Sequence, residues 1–227
     1  VDLLSPDELV CLQKGVLQSG NRAIIAAGTG LGEAILFWDS KEYHSSATEG
    51  GHASFSPTNE EEIELWRYCY KKLKGHVSVE RLISGAFGFA TLFSFLCESK
   101  RFESDPVLVE KVQNSENAGV IIQEAAERGI PIAVETLRLF VRLYGVEAGN
   151  LALKSLATGG VYLGGGIAPK MLFWLKQKEF LDGFCSKGRF RPLLTSIPVF
   201  VITSDVNALR GAAYYALKQL KRERVSS

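Results

Sequence analysis

The chain has 227 residues, 46% hydrophobic and 22% charged, which is length enough for one substantial core or two small ones in an ordinary globular composition. With 26 basic and 25 acidic side chains the formal net charge is +1, which excludes the electrostatic footprint of a nucleic-acid binder. No apolar run reaches membrane-spanning length and no secretory signal pattern is present, so neither a membrane nor an export role is expected. The four cysteines (Cys11, Cys69, Cys97, Cys185) stand far apart without a C-x-x-C pair, the usage expected of reduced thiols in a cytoplasmic protein.

In chain order, residues 1–21 carry an acidic amphipathic patch, Ser5-Pro6-Asp7-Glu8-Leu9, in which Ser5 can cap a helix that begins at Pro6. After a break at 18–21, residues 23–27 (AIIAA) form a short apolar run bounded by glycine, read as a buried strand. Runs at 33–38 and 41–46 complete an antiparallel meander that turns at Asp39-Ser40. Thr58 and Asn59, followed by Glu60, Glu61 and Glu62, open a helix that runs to about Lys74 and ends at Gly75. A further helix is expected after Ser78, which can cap it alone. Ser84-Gly85 then breaks the chain before Phe87, Phe89, Phe93 and Phe95, read as core.

Helices are expected at 105–113, 118–128 and 130–158, the last with Pro131 in its first turn. In that helix Ala148, Gly149 and Ala152 are small enough for close packing against a neighbour. A strand at 161–163 closes on Gly164, Gly165 and Gly166, and a helix enters at Pro169 and runs to about Gln177. The last strand is 197–203 and the last helix 207–220. Strands first, then strands alternating with helices, imply an α/β fold with a mixed sheet and flanking helices.

The chemistry concentrates where that meander begins. Gly28, Thr29, Gly30 and Gly32 leave the backbone unobstructed around one hydroxyl, so several N–H groups and Thr29 Oγ can approach a phosphate. A dinucleotide fingerprint would open a helix here, but residues 33–38 are another strand, so the glycines sit at the tip of a β-hairpin. A Walker loop fails as well, because Gly183-x-x-x-x-Gly188 continues with Arg189 and Phe190.

Five segments carry a resemblance: GTGLG at 28–32, EGGH at 49–52, HVSVERLISG at 76–85, GNLAL at 149–153 and GGVYLGGGIAPK at 159–170. In order and spacing they resemble the bacterial glucokinase family, over about Ala23 to Leu217 and in that family's larger, C-terminal domain. Each segment is weak alone; five in order are specific. The resemblance implies a ribonuclease-H-like (actin-like ATPase) fold with an added helical region over about 86–158. It implies ATP-dependent phosphorylation of glucose at the 6-hydroxyl, the first step of glycolysis, with Mg²⁺ arriving on ATP. Residues 1–22 would be a linker from an N-terminal domain preceding Val1, and 23–227 the C-terminal domain. That preceding domain would carry a first phosphate loop and the catalytic Asp, so the chain alone is expected to be inactive.

For the nucleotide, the resemblance implies Gly28, Thr29 and Gly30 at the phosphates, with Gly85, Gly164, Gly165, Gly166, Asn207 and Gly211 around the adenosine. For glucose it implies Glu49, His52 and Glu80. These residue types suit a sugar, since a carboxylate accepts from two hydroxyls with charge-assisted strength and an imidazole adds a donor or acceptor. Related repressor-type sugar kinases bind zinc with a cysteine cluster and the histidine of their own E-x-G-H; no such cluster follows His52, so no zinc is expected. Asp205, at the end of the last strand, reads more readily as a helix cap than as a base. A different class of function stays open, a truncated homologue that binds hexose or nucleotide as a regulatory module. The resemblance also leaves room for a homodimer.

Overall fold

The computed structural model describes residues 1, 3–103 and 105–226. Six strands form one mixed sheet: β1 (Leu9–Gln13), β2 (Arg22–Ala27), β3 (Leu31–Trp38), β4 (Tyr43–Ala47), β5 (Val161–Gly164) and β6 (Val199–Ile202), in the order β1-β6-β5-β2-β3-β4. β2, β3 and β4 are the antiparallel meander, and β5 and β6 run parallel to β2 and to each other. Three antiparallel strands continued by two parallel ones are the ribonuclease-H-like order, so the expected fold class holds. Alternation explains β2: Ala23, Ile25 and Ala27 face the core while Ile24 and Ala26 face the opposite side, partly covered. At the second turn Ser40 takes φ 79, and the Asp39 carboxylate accepts from the N–H groups of Lys41 and Glu42, both at 2.8 Å.

Four helices fill the chain between β4 and β5: α1 (Glu60–Leu73), α2 (Gly88–Glu98), α3 (Pro106–Gln113) and α4 (Ala118–Glu127), ahead of the long α5 (Pro131–Ser155). α5 is the centre of the core. Its Tyr144 hydroxyl donates to the Ile25 carbonyl of β2 at 3.2 Å, and Phe140 stacks on Phe89 of α2 with centroids 4.1 Å apart. Beyond β5 lie α6 (Ile167–Lys170), α7 (Leu172–Leu175), α8 (Lys178–Cys185) and α9 (Arg191–Ser196), with α10 (Asn207–Ser226) after β6. The small residues expected to admit a close neighbour do so: a Cβ on Gly149 would stand 2.4 Å from the Phe184 carbonyl oxygen of α8. Asn59 caps α1 by accepting from the Glu62 N–H, and the buried Glu62 pairs with Arg142 of α5 at 3.1 Å.

The structure corrects several expectations. Residues 6–8 make one 3-10 turn rather than a longer helix: the Glu8 carboxylate closes back on Ser5 N–H and Oγ, both at 3.0 Å, but pairing of the following residues with β6 ends the turn. The chain then extends as β1 along β6, held by Gln13 Nε2 donating to the carbonyls of Leu194 and Ile197, both at 2.7 Å. The stretch read as a linker therefore supplies an edge strand of the sheet. The helix expected after Ser78 is a single 3-10 turn, Val79–Arg81, without a side-chain cap. The helix from Pro169 is split into α6 and α7, and α8 and α9 add helices that the sequence reading left out. Of the four phenylalanines, Phe89, Phe93 and Phe95 are buried, but Phe87 is exposed beneath the Arg81 guanidinium, 4.3 Å from its ring centroid.

Candidate functional site

The hairpin tip is residues 28–30, between β2 and β3 where Ala27 pairs with Leu31. Gly28 N–H turns inward onto the Gly30 carbonyl at 2.9 Å. The carbonyls of Gly28 and Thr29 accept from the N–H groups of Gly85 (2.7 Å) and Ala86 (3.3 Å), which anchors the tip to the start of α2. The remaining donors of the tip are the N–H groups of Thr29 and Gly30 and the exposed Thr29 hydroxyl, a set suited to an anion.

Beside the tip lies a cavity of about 390 Å³ lined by Gly28, Thr29, Gly85 and Gly166 together with Phe89, Asn117, Gln123 and Lys170. A Cβ built on Gly28 or Gly166 would meet no atom within 4 Å. Packing does not require glycine at either position; glycine there keeps the cavity open. Gly165 has a different role. It takes φ +80, and a Cβ on it would stand 2.3 Å from the Ala27 carbonyl oxygen, so it locks the turn after β5 against β2. Gly164 is the buried last residue of β5. Of the three consecutive glycines, Gly166 alone lines the cavity.

Asn207 and Gly211 are not brought to this cavity. The Asn207 side chain donates to the Ser204 carbonyl at 2.9 Å, and α10 leads Gly211 to a separate depression beside Trp38 and Tyr43. The parts of the cavity that sequence reading missed are Phe89 of α2, Asn117 and Gln123 around α4, and Lys170 of α6. Lys170 ends the fifth of the motif segments, and a cation shortly after a glycine run was a usable signal. Asn117 and Gln123 offered none, since only tertiary packing brings α4 to the hairpin.

Glu49, Gly50, Gly51 and His52 form a 3-10 turn, Gly50–His52, directly against β3. Backbone requires glycine at 51, where a Cβ would lie 2.2 Å from the Leu31 carbonyl oxygen, while Gly50 leaves the room that Glu33 Oε2 occupies, 1.9 Å from where a Cβ would stand. Glu49 and His52 are left exposed. Three hydrogen bonds join this turn to the segment that carries Glu80: Val79 N–H to Ala53 O (3.0 Å), Phe55 N–H to Val77 O (2.8 Å) and His76 Nε2 to His52 O (2.9 Å). A carbonyl can only accept, so the His76 Nε2 carries the proton.

Glu80 then reaches the hairpin. Its Oε2 accepts from Leu31 N–H at 2.9 Å, and a Cβ on Gly30 would stand 2.6 Å from the same oxygen. The three residues expected at a sugar thus lie on two segments bonded to each other, and Leu31 joins both segments to the hairpin tip. No group of three or more His, Cys, Asp or Glu residues among the described residues is arranged to hold a metal ion. Cys69 is a poor thiolate, its thiol pushed up to about 12 by burial.

Comparison with known proteins identifies the family. The family model for glucokinase matches residues 1–219. A glucokinase of Trichormus variabilis is 41% identical over 228 aligned residues, which cover 95% of this chain and 66% of that protein. The solved glucokinase from an Antarctic psychrotroph superposes with a TM-score of 0.82 at 28% identity, covering 94% of this chain and 63% of that one. The Balamuthia mandrillaris glucokinase, solved in complex with glucose, shares the fold with a TM-score of 0.74 at 22% identity, covering 88% of this chain and 56% of that one. The chain spans 56–66% of the length of these relatives. It belongs to the glucokinase family.

Proposed function

We propose that the protein transfers the γ-phosphoryl group of ATP to the 6-hydroxyl of glucose, and that this chain supplies the nucleotide cradle and the sugar contacts. The observation that carries the proposal is the convergence on Leu31. Its N–H is held by Glu80, its carbonyl lies under Gly51, and the phosphate-type tip ends one residue before it. Phosphoryl transfer needs a donor phosphate and an acceptor hydroxyl held in line at near contact, and a single residue shared by both half-sites sets that spacing.

In this reading the cavity takes the adenosine, Gly166 and Gly28 leave it room, and Lys170 lends positive charge to the phosphates. The N–H groups and hydroxyl of the tip hold the transferring phosphate, whose Mg²⁺ arrives with the nucleotide. Glu49, His52 and Glu80 hold sugar hydroxyls, and His52 is a sugar ligand rather than a zinc ligand. The 6-oxygen forms the new bond to the γ-phosphorus, the bond from that phosphorus to the bridging oxygen breaks, and ADP leaves. The hydroxyl proton passes to a carboxylate base, which is not among the residues of these two half-sites.

The test is a coupled assay for glucose 6-phosphate with ATP and glucose varied separately, alongside titration of each ligand. With a preceding domain that carries the base, product that requires both substrates is expected, whereas this chain alone should bind glucose and nucleotide with little product. Binding without product even with that domain present would favour the regulatory module instead. Failure to bind either ligand would remove the proposal.

A further inference from the structure

We propose that Glu33 is a positioning residue for the sugar: its buried carboxyl, lying beneath Gly50, sets where Glu49 and His52 stand. The inference rests on the sugar-site reading above and assigns to that site a residue in neither of its half-sites. Glu33 lies on β3 opposite Ile25, two residues past the convergence point at Leu31. It is 7% exposed, and its Oε1 has no hydrogen-bond partner among the described residues.

The other oxygen is the floor of the turn, since Oε2 occupies the space that a Cβ on Gly50 would need. The backbone repeats the tie: Thr48 Oγ1 donates to the Glu33 carbonyl at 3.1 Å and accepts from Gly50 N–H at 3.1 Å. The turn is therefore seated on Glu33 through both main chain and side chain.

The surroundings favour the uncharged acid. α5 faces the carboxyl with the Glu147 carboxylate and the Lys154 ammonium, and that ammonium already stands 3.6 Å from Glu147. Glu147 is itself 4% exposed and accepts from Asn150 Nδ2 at 2.9 Å, while Lys187 donates to Asn150 Oδ1 at 2.7 Å rather than to Glu33. The turn above it carries the exposed Glu49 and His52, and the residue paired with Glu33 on β2 is the apolar Ile25. Burial first, and the Glu147 charge second, push the Glu33 carboxyl up to about 7. An ionised carboxylate with an unpartnered buried oxygen is costly. It can be hydrated only by moving the turn above it, which displaces Glu49 and His52.

The consequence is a pH dependence confined to the sugar. If the seated turn is the binding-competent one, the apparent glucose dissociation constant scales inversely with the uncharged fraction of Glu33. It then weakens about tenfold from about pH 6 to about pH 8, while nucleotide affinity stays level. Glu33→Gln keeps the shape without the charge, so its glucose affinity should match the low-pH wild type and stay flat across that range.

Two measurements decide it. One is glucose and nucleotide titration of wild type and Glu33→Gln across that range. The other, without sugar, follows the Glu33 carboxyl carbon and the Gly50 amide by NMR in wild type. A common midpoint near 7, with the Gly50 step absent in Glu33→Gln, is expected. The inference is overturned by a Glu33 carboxyl that titrates in the ordinary glutamate range or by a Gly50 amide unmoved when Glu33 titrates. It is equally overturned by a glucose pH profile that Glu33→Gln retains. The NMR arm needs neither ligand nor variant to read the Glu33 midpoint and its match at Gly50. Failure to bind glucose would sink the proposed function and is distinct from failure of Glu33 to seat the turn.

Discussion

At the proposed nucleotide cavity, a side chain on Gly28 or Gly166 would meet nothing within 4 Å; at the proposed sugar turn, one on Gly51 would stand 2.2 Å from the Leu31 carbonyl oxygen. Both regions are glycine-rich motifs, yet the causes are opposite. At the sugar turn glycine is demanded by the protein's own backbone, because the turn must lie flat on β3. At the cavity the protein does not demand it, and what glycine preserves is empty space of about 390 Å³. A motif can therefore be read as fold or as ligand site only after asking what a Cβ would touch.

The largest effect is expected at Gly51. Gly51→Val drives a branched side chain into β3 backbone, and overpacking of this kind costs about 1–3 kcal/mol. For a chain of this size each kcal/mol lowers Tm by about 2–4 °C. A fall of several degrees with loss of glucose binding is expected by thermal unfolding and titration. Wild-type stability would mean that the turn does not lie on β3 as described.

Glu80 gives the next largest effect, because it touches both regions. Glu80→Gln keeps an oxygen for Leu31 N–H but loses the charge toward a sugar hydroxyl. A charge-assisted hydrogen bond contributes roughly 1.5–3 kcal/mol, so glucose affinity should fall about tenfold to a hundredfold with nucleotide affinity nearly intact. Glu80→Ala also frees the Leu31 N–H and should weaken both ligands. Combined with Glu49→Gln, the Glu80→Gln loss should be non-additive, since both carboxylates would hold one hexose. Glucose and nucleotide titrations of the singles and the double decide this, and wild-type glucose affinity in Glu80→Gln would remove Glu80 from the sugar site.

The smallest effect expected is from metal removal. Metal analysis of the purified protein should find no stoichiometric zinc, and strong chelation should leave Tm unchanged. One zinc per chain would take His52 away from the sugar.

The pH dependence of stability carries the Glu33 argument into the fold itself. Its folded value, pushed up to about 7, lies above the ordinary glutamate range, so the folded state binds the extra proton between the two. The contribution is fully present below the unfolded pKa and is lost as pH rises through about 7. Wild type should thus lose stability relative to Glu33→Gln from about pH 5 to about pH 8, read by thermal unfolding. A difference that is constant across that range would contradict the raised value.

Much of the meander was legible because its signals are local. The apolar run of β2, the glycines at 28 and 30, and the Asp39-Ser40 turn each act on adjacent residues. β1 was not legible, because Ser5, Pro6 and Glu8 are good helix-start chemistry and only the partner strand β6, distant in sequence, makes extension of Leu9–Gln13 favourable. In the site, the hairpin tip and the pairing of the two sugar segments followed the motifs. The separate roles of Gly165 and Gly166 did not, since the sign of φ and the position of the Ala27 carbonyl cannot be read from three identical letters. That Asn207 and Gly211 lie away from this cavity was not legible for the same reason: placement of α10 is decided by tertiary packing. Glu33 looked like any polar residue alternating in a strand, and its burial depends on α5 and the Gly50 turn covering it.

The claim at the centre of this account is that Gly166 is glycine for the nucleotide and not for the fold. The direct measurement is ATP titration of Gly166→Val with thermal unfolding as the control. Backbone angles of φ −76 and ψ −12 and open space at the Cβ admit valine, so stability should stay within about 0.5 kcal/mol of wild type. ATP affinity should fall by at least about tenfold, equivalent to about 1.4 kcal/mol, as the side chain fills the cavity. Unchanged ATP affinity in a variant that folds as wild type would contradict the account, and would place the nucleotide somewhere other than beside Gly28 and Gly166.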